Sequence, residues 1–205
     1  APFASLGDLA DRIGAHRDEL EALAEAGALN AFGLSRRSAL WQVARFSRPS
    51  GPLFPPETEE PEPASPLVEM TLPERLAADM VRTGLTVGPH PFSLQREALR
   101  ARGVRRAVDL RGLRSGERVR VAGAVICRQR PGTAKGFVFL TLEDETGLSN
   151  VVVEPGLFRR HEATIVRSPA LEVDGVLQAE DALTVRAVDL RPVRSAPVAP
   201  SHDFR

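Results

Sequence analysis

One stretch constrains the chain more than any other: Glu117 to Glu154, ERVRVAGAVICRQRPGTAKGFVFLTLEDETGLSNVVVE. Its opening alternates strictly. Val119, Val121, Val125 and Cys127 fall on one face, and Arg118, Arg120, Arg128 and Arg130 on the other. That is the period-two signature of a strand with one buried side. Pro131-Gly132 and the RPGTAKG connection lead into a second strand, Phe137 to Leu142. There Val138, Leu140 and Leu142 form the apolar set, while Phe137, Phe139 and Thr141 point the other way. Glu143 to Gly147 is a turn signal, and Leu148 to Val153 is a third β-branched run. The register predicts Val119, Val121, Val138, Leu140, Leu142 and Val152 as buried. The opposite face then carries arginines, Lys135 and two phenylalanines. Basic groups along a phosphate backbone, beside rings on which bases stack, are what single-stranded nucleic-acid binding requires. Against this stands a plainer reading in which both rings pack inside a small barrel, since Phe is usually a core residue.

Downstream, Pro155 to His161 reads as a short helix, and Ala170 to Leu177 and Ala182 to Val188 alternate again. Five strands with a helix between the third and fourth is the order of an OB-fold barrel, placed at residues 116–191. Upstream the periodicity is helical. Ser5 caps a first helix with Leu6, Leu9, Ala10 and Ile13 on one face, broken at Gly14-Ala15. A second helix from Arg17 to Ala26 turns Leu20, Leu23 and Ala24 inward and ends at Gly27. Helix, glycine turn, helix is the outline of a helix-hairpin-helix unit, which can offer backbone N–H groups to a phosphate. Ser35 caps a third helix with Leu40, Trp41 and Ala44 as its apolar stripe, leaving Arg36, Arg37 and Arg45 on a solvated face. The fold class is therefore α+β: a helical region over 1–47, then a five-stranded β-barrel. Between them lie a proline-rich linker at 48–66 and a helical connector at 67–115, and residues 192–205 form a tail. In the connector, a helix runs from Thr71 to Arg82, and His90 sits in a turn with its ring nitrogens hydrogen-bonded.

The 27 basic and 27 acidic residues cancel, so net charge gives no argument for a polyanionic partner. Distribution does. From Arg102 to Gly136 nine arginines and Lys135 face only Asp109 and Glu117, a local basic field of the kind nucleic-acid binding leaves. Lys135 is the sole lysine, which explains arginine over lysine but not the clustering. Cys127 is the only cysteine, so an internal disulfide and a cysteine zinc site are excluded; it reads as a small core residue. No run approaches the length of a membrane span, and APFASLGD has no basic n-region. A soluble, reducing, cytoplasmic setting is expected, and Ala1 in place of an initiator methionine suggests a fragment.

The pattern VRVAG…RQRPGTAKG…FLTLEDETG…NVVV closely resembles the OB-fold near the C-terminus of bacterial error-prone DNA polymerases, C-family relatives of the replicative α subunit. LEALAEAGALNAFG resembles the helix-hairpin-helix segment of that family, and TLPERLAADMVRTGLTVGPHPF its connector into the OB-fold. The resemblance implies a nucleic-acid-binding module of a polymerase for translesion synthesis and damage-induced mutagenesis. Its expected ligand is single-stranded template. Its implied partners are a polymerase-like adaptor and a recombinase-like accessory protein. The parent enzyme would use Mg; no nucleophile, metal cluster or phosphate-cradling loop stands in this segment, which is expected to be inert. Glu57 to Glu62 read as linker, and Glu143-Asp144-Glu145 as turn chemistry. VRVAG…FLTLEDETGLSNVVV is also similar to the anticodon-binding OB-fold of class II aminoacyl-tRNA synthetases, which by position would make Phe139 the stacking ring and Asn150 a base reader. That reading fits the preceding helices poorly. A protein-docking module is the third reading; Leu53-Phe54 faintly resembles the end of a sliding-clamp peptide but lacks its leading glutamine. The candidate contacts are thus Arg118, Arg120, Arg128, Arg130, Lys135, Phe137, Phe139 and Asn150.

Overall fold

The structure, a computed structural model, describes residues 2–45, 65–180, 182–193 and 202–204. The linker from residue 48 to 64, with Leu53-Phe54 and Glu57 to Glu62, lies outside the described residues, as do residues 194–201 of the tail. The chain divides into two compact units, Ala1–Thr83 and Gly84–Arg205.

In the first unit, α1 (Leu6–Ile13) begins where Ser5 Oγ accepts the Asp8 N–H at 3.1 Å, and it ends at left-handed Gly14. The Ala4 N–H bonded to Asp8 holds that carboxyl below its usual range. α2 (Arg17–Ala26) runs to Gly27, and α3 (Arg36–Arg45) follows a single turn over Ala28–Phe32. Leu6, Leu9, Ala10, Leu20, Ala24, Leu29, Ala39 and Val43 make the core. Ile13, expected on the same face as Leu6, is 53% exposed at the last residue of the helix.

The inward stripe of α3 differs from the expected Leu40, Trp41 and Ala44. It runs through Arg36, Ala39, Leu40 and Val43, the i, i+3, i+4, i+7 positions of one helix face. Arg36 therefore points into the unit. Its Nη2 donates to Asp79 Oδ1 at 2.5 Å and its Nη1 to the Arg75 carbonyl at 3.1 Å. Asp79 and Arg75 belong to α4 (Leu72–Thr83), which opens with reciprocal Thr71–Glu74 hydrogen bonds. An apolar residue could not fasten α4 in this way, and breaking such a buried pair is costly. Arg37, also expected in solvent, bonds the Val68 carbonyl and Glu74. The connector drawn from sequence is thus split: α4 packs in the first unit, and the chain from Gly84 onward belongs to the second.

The second unit is an OB-type barrel. β1 (Arg118–Gln129), β2 (Val138–Asp144), β3 (Gly147–Val153), β4 (Ala170–Gln178) and β5 (Thr184–Pro192) close in the order β1-β2-β3-β5-β4-β1. All pairings in that ring are antiparallel except β3 with β5. β1 serves two neighbours, β4 from Arg118 to Ala124 and β2 from Ala124 onward. The bend between these two halves requires Gly123: a Cβ there would lie 2.6 Å from the Glu143 carbonyl oxygen. Val119, Val121, Val125, Val138, Leu140, Leu142, Leu171 and Val173 fill the interior. The helix α6 (Pro155–Arg167) adds Leu157, Phe158 and Ile165 to it. It runs past the expected His161 limit through a kinked residue at that position.

Two register expectations fail. Val152 is not in the core. Pairing sets Val138 opposite Val153, Leu140 opposite Val151 and Leu142 opposite Ser149, and residues directly opposed share a face. Val151 and Val153 are buried and Val152 faces out. In β1 the alternation is broken by a bulge: Val125 pairs with Leu142, but the next pair is Cys127 with Thr141, leaving Ile126 as the extra residue. Beyond it the faces exchange. Cys127, expected inside, joins the outer face with Thr141, and Arg128, expected outside, stands opposite inward Leu140.

Candidate nucleic-acid interface

Two rows of residues cross the outer face of the barrel, read from the strand pairings. One runs Gln129, Phe139, Val152, Arg186; the other runs Cys127, Thr141, Asn150, Thr184. Phe139 is 38% exposed, while Val138 and Leu140 on either side of it are buried. Strand alternation explains this: an inward Leu140 forces an outward Phe139. Asn150 is exposed beside it, with Oδ1 3.4 Å from the Thr141 hydroxyl. The ring and a side-chain amide thus lie one pairing step apart on adjacent strands, an apolar platform next to a donor–acceptor group.

The cations around this face are not the set that spacing suggested. Arg118 lies at the far end of β1, opposite Val176 of β4. Arg120 donates to Asp174 at 2.5 Å and to the Arg102 carbonyl at 2.8 Å. Behind it Glu172, 1% exposed, is ringed by Arg102, Arg120 and Arg191. The hydrogen bond to Glu172 raises the pKa of Arg191. This cluster clamps β4 to its neighbours and is structural. Arg128, turned inward by the bulge, donates Nε to the Ile165 carbonyl at 2.7 Å and Nη2 to the Ser168 carbonyl at 2.5 Å. It closes the C-terminal end of α6, where the last carbonyls have no helical partner.

The remaining candidates follow the end of β1. Arg130 lays its guanidinium 4.8 Å from the centroid of the Phe158 ring, a cation–π contact that leaves the side chain exposed. Lys135 is exposed and adopts a left-handed backbone, φ 48°, at the end of the Gly132–Ala134 turn. Phe137 is half-buried just before β2. Arg186, missed by the sequence reading, joins the Phe139 row from β5; its Nη1 lies 3.5 Å from Glu154 Oε1 and both side chains are half exposed. Val152, Thr141, Thr184 and Gln129 were missed with it. The signal that could have found Arg186 is the closed strand order, since an OB barrel sets β5 beside β3.

Two other sites are explained by the structure. Asp144 Oδ2 accepts the Ala107 N–H at 2.8 Å, and Oδ1 accepts the Thr146 N–H at 2.7 Å and its hydroxyl at 2.6 Å. Arg96 bridges Asp144 and Glu145, fastening α5 (Arg96–Ala101) to the β2–β3 turn. Asp144 and Glu145 are thus turn chemistry, as expected, with both carboxylates engaged. His90 Nδ1 likewise accepts the Phe92 N–H within its own turn. Among the described residues no group of three or more His, Cys, Asp or Glu side chains is placed to hold a metal ion. At the hairpin of the first unit, Glu19 accepts the His16 N–H at 2.7 Å, and the first turn of α2 carries Asp18 and Glu19.

Comparison with known proteins assigns this architecture. The helix-hairpin-helix motif family matches residues 1–39. Over 99% of this chain the sequence is 40% identical to the error-prone DNA polymerase of Cutibacterium acnes, covering 18% of that protein. Over the whole chain it is 44% identical to that of an Azoarcus species and 42% identical to that of Mycobacterium tuberculosis, covering 19% of each. Over its whole length the chain is similar to one segment of these error-prone DNA polymerases. It spans under one fifth of the length of these polymerases. Solved structures give partial likenesses, among them asparaginyl-tRNA synthetase from Pyrococcus horikoshii, with a TM-score of 0.33 and 24% identity over 41% of this chain and 21% of that one. The p204 HINb domain gives a TM-score of 0.36 with 18% identity over 46% of this chain and 49% of that one. The chain joins a helix-hairpin-helix motif to an OB-type barrel, and no described helix is long and apolar enough to cross a membrane.

Proposed function

We propose that this segment is a nucleic-acid-binding module of an error-prone DNA polymerase acting in translesion synthesis, and that the outer barrel face holds single-stranded template. One observation carries the reading: Phe139 stands exposed on a strand whose inward positions are filled by valine and leucine. Bases of a single strand stack on the ring, Asn150 offers hydrogen bonds beside it, and Arg186, Lys135 and Arg130 supply charge for phosphates. Duplex DNA keeps its bases stacked internally and gains nothing from the ring. The segment would place template for a parent enzyme that works in the cytoplasm and supplies Mg for phosphoryl transfer. Its partners in mutagenesis would be the polymerase-like adaptor and the recombinase-like accessory protein implied by the family resemblance.

The test is titration of the chain with single-stranded and duplex oligonucleotides at two salt concentrations. The single strand should bind more tightly. Arg186→Ala and Lys135→Ala should each weaken binding to every sequence and reduce the salt slope by roughly 0.7, the single-strand value per phosphate contact. Equal affinity for both forms, or slopes unmoved by either substitution, would refute the proposal.

A further inference from the structure

The strand pairings carry the outer row of Phe139 beyond β5. Arg186 of β5 stands opposite Val176 of β4, and Val176 stands opposite Arg118 of β1. The full row is Gln129, Phe139, Val152, Arg186, Val176, Arg118. It leaves β1 at the last residue of that strand and returns to it at the first. Tilted strands in a closed barrel produce such a spiral. Buried Leu177 beside it turns Val176 outward, and Arg118 is exposed.

This row differs in charge from the rows beside it. It holds two arginines and no acid. On one flank lies the uncharged row of Thr141, Asn150 and Thr184, which Gln178 continues opposite Thr184. On the other flank Asp174 and Asp189 stand opposite each other, engaged by Arg120, Arg191 and His161. A polyanion is drawn to the row and held off its acidic flank. Other arginines around the barrel are committed to structure: Arg102, Arg120 and Arg191 to Glu172, and Arg96 to Asp144 and Glu145. Arg118 forms no ion pair among the described residues. Its neighbour Glu117 is turned to the Arg114 N–H, which it accepts at 2.8 Å.

We infer, on the single-strand reading of the outer face, that this row is a track for one strand of nucleic acid running across the barrel from Phe139 on β2 to Arg118 on β1. Four strand spacings of about 4.8 Å give the track roughly 19 Å. Its two ends differ in chemistry. Phe139 takes a base by stacking, whereas Arg186 and Arg118, with Val176 between them, take phosphates. Arg118 therefore adds affinity without sequence preference.

The probe is a labelled single-stranded oligonucleotide of about twelve nucleotides, inside the range of OB-fold site sizes. It is titrated at several salt concentrations into the native chain and into Arg118→Ala, Val176→Lys and Arg100→Ala. Arg100 is exposed on α5 and lies off the row. Circular dichroism confirms that each variant keeps its barrel. Arg118→Ala should lower the salt slope by about 0.7 and Val176→Lys should raise it by about 0.7, one phosphate contact each. Arg100→Ala should leave the slope in place. If either row substitution leaves the slope unmoved while Arg186→Ala lowers it, the strand ends at β5 and the track is overturned. A fall with Arg100→Ala as large as with Arg118→Ala would make the attraction a diffuse field and overturn the track as well. A native chain that binds single strand no better than duplex would overturn the single-strand reading and the track with it, a failure visible without any variant.

Discussion

Asp144→Asn is the most demanding test of how the barrel is held. Asp144 is 5% exposed, and each of its oxygens accepts from a backbone N–H: Oδ2 from Ala107 and Oδ1 from Thr146. An amide has one carbonyl oxygen. Whichever way the substituted side chain turned, its NH₂ would face one of those N–H groups, leaving a buried donor unsatisfied at about 1–3 kcal/mol. The hydrogen bonds that remain would lose the strength that ionisation gives them, roughly another 1–2 kcal/mol. Arg96 is not orphaned, since it keeps Glu145 at 2.5 and 2.8 Å, so the full cost of a broken buried ion pair does not apply. The expected loss is about 2–5 kcal/mol, a large part of the ~5–15 kcal/mol that holds a domain folded. Urea unfolding followed by far-ultraviolet circular dichroism measures it. Trp41, the single tryptophan, lies in the first unit, and its fluorescence transition should stay in place. A loss under about 1 kcal/mol would refute the assignment of Asp144 as the fastening of the β2–β3 turn.

Three further outcomes are expected. Arg36→Ala removes the guanidinium that bonds buried Asp79 and should destabilise the first unit by up to about 3–5 kcal/mol, read from Trp41 fluorescence, whereas Arg36→Met with Asp79→Leu should recover most of that. Burial pushes the Glu145 carboxyl up, but Arg96 hydrogen bonds, its own backbone N–H and the Arg96 charge pull it further down, below its ordinary 4.5. A carboxyl lowered in the folded state stabilises fully above its unfolded value and loses that contribution as pH falls through its folded value. Native stability should therefore drop more steeply than that of Glu145→Gln as pH is lowered below about 4.5, measured by urea midpoints across the acid range. Gly123→Ala drives a methyl against the Glu143 backbone at 2.6 Å and should lower the thermal midpoint of the barrel, at a cost of at least about 1–3 kcal/mol.

The architecture was legible because each element announces itself locally. Alternating valines and leucines in β2 fixed which residues face inward, and Ser5, Gly14 and Gly27 marked helix ends. The errors arose where one residue changes a phase or a distant partner intervenes. Ile126 adds a residue to β1, and nothing in VRVAGAVICRQR distinguishes it from its neighbours; only the pairing with β2 shows that Arg128 changes face. Val152 failed for the same kind of reason, since three consecutive valines carry no alternation and Ser149 is the inward residue that sets the phase. Arg36 looked like a surface arginine because its acceptor, Asp79, lies 43 residues away. Of the candidate face, Phe139 and Asn150 were readable from strand parity. Arg186 was not, because β5 reaches β3 through barrel closure and not through the sequence around it.

Single-strand binding by the outer face turns on Phe139. Its side chain lies on the outer face, so Phe139→Ala removes a ring from solvent-facing surface and not from the packed interior. The decisive measurement pairs the melting curve and the single-stranded oligonucleotide affinity of that one variant, against the native chain in the same buffer. The variant barrel should melt nearly as before, with an affinity weakened by about 1–3 kcal/mol, roughly 5- to 150-fold. A barrel destabilised by about 3–5 kcal/mol, as a core phenylalanine would give, or a folded variant that binds as tightly as the native chain, would contradict it.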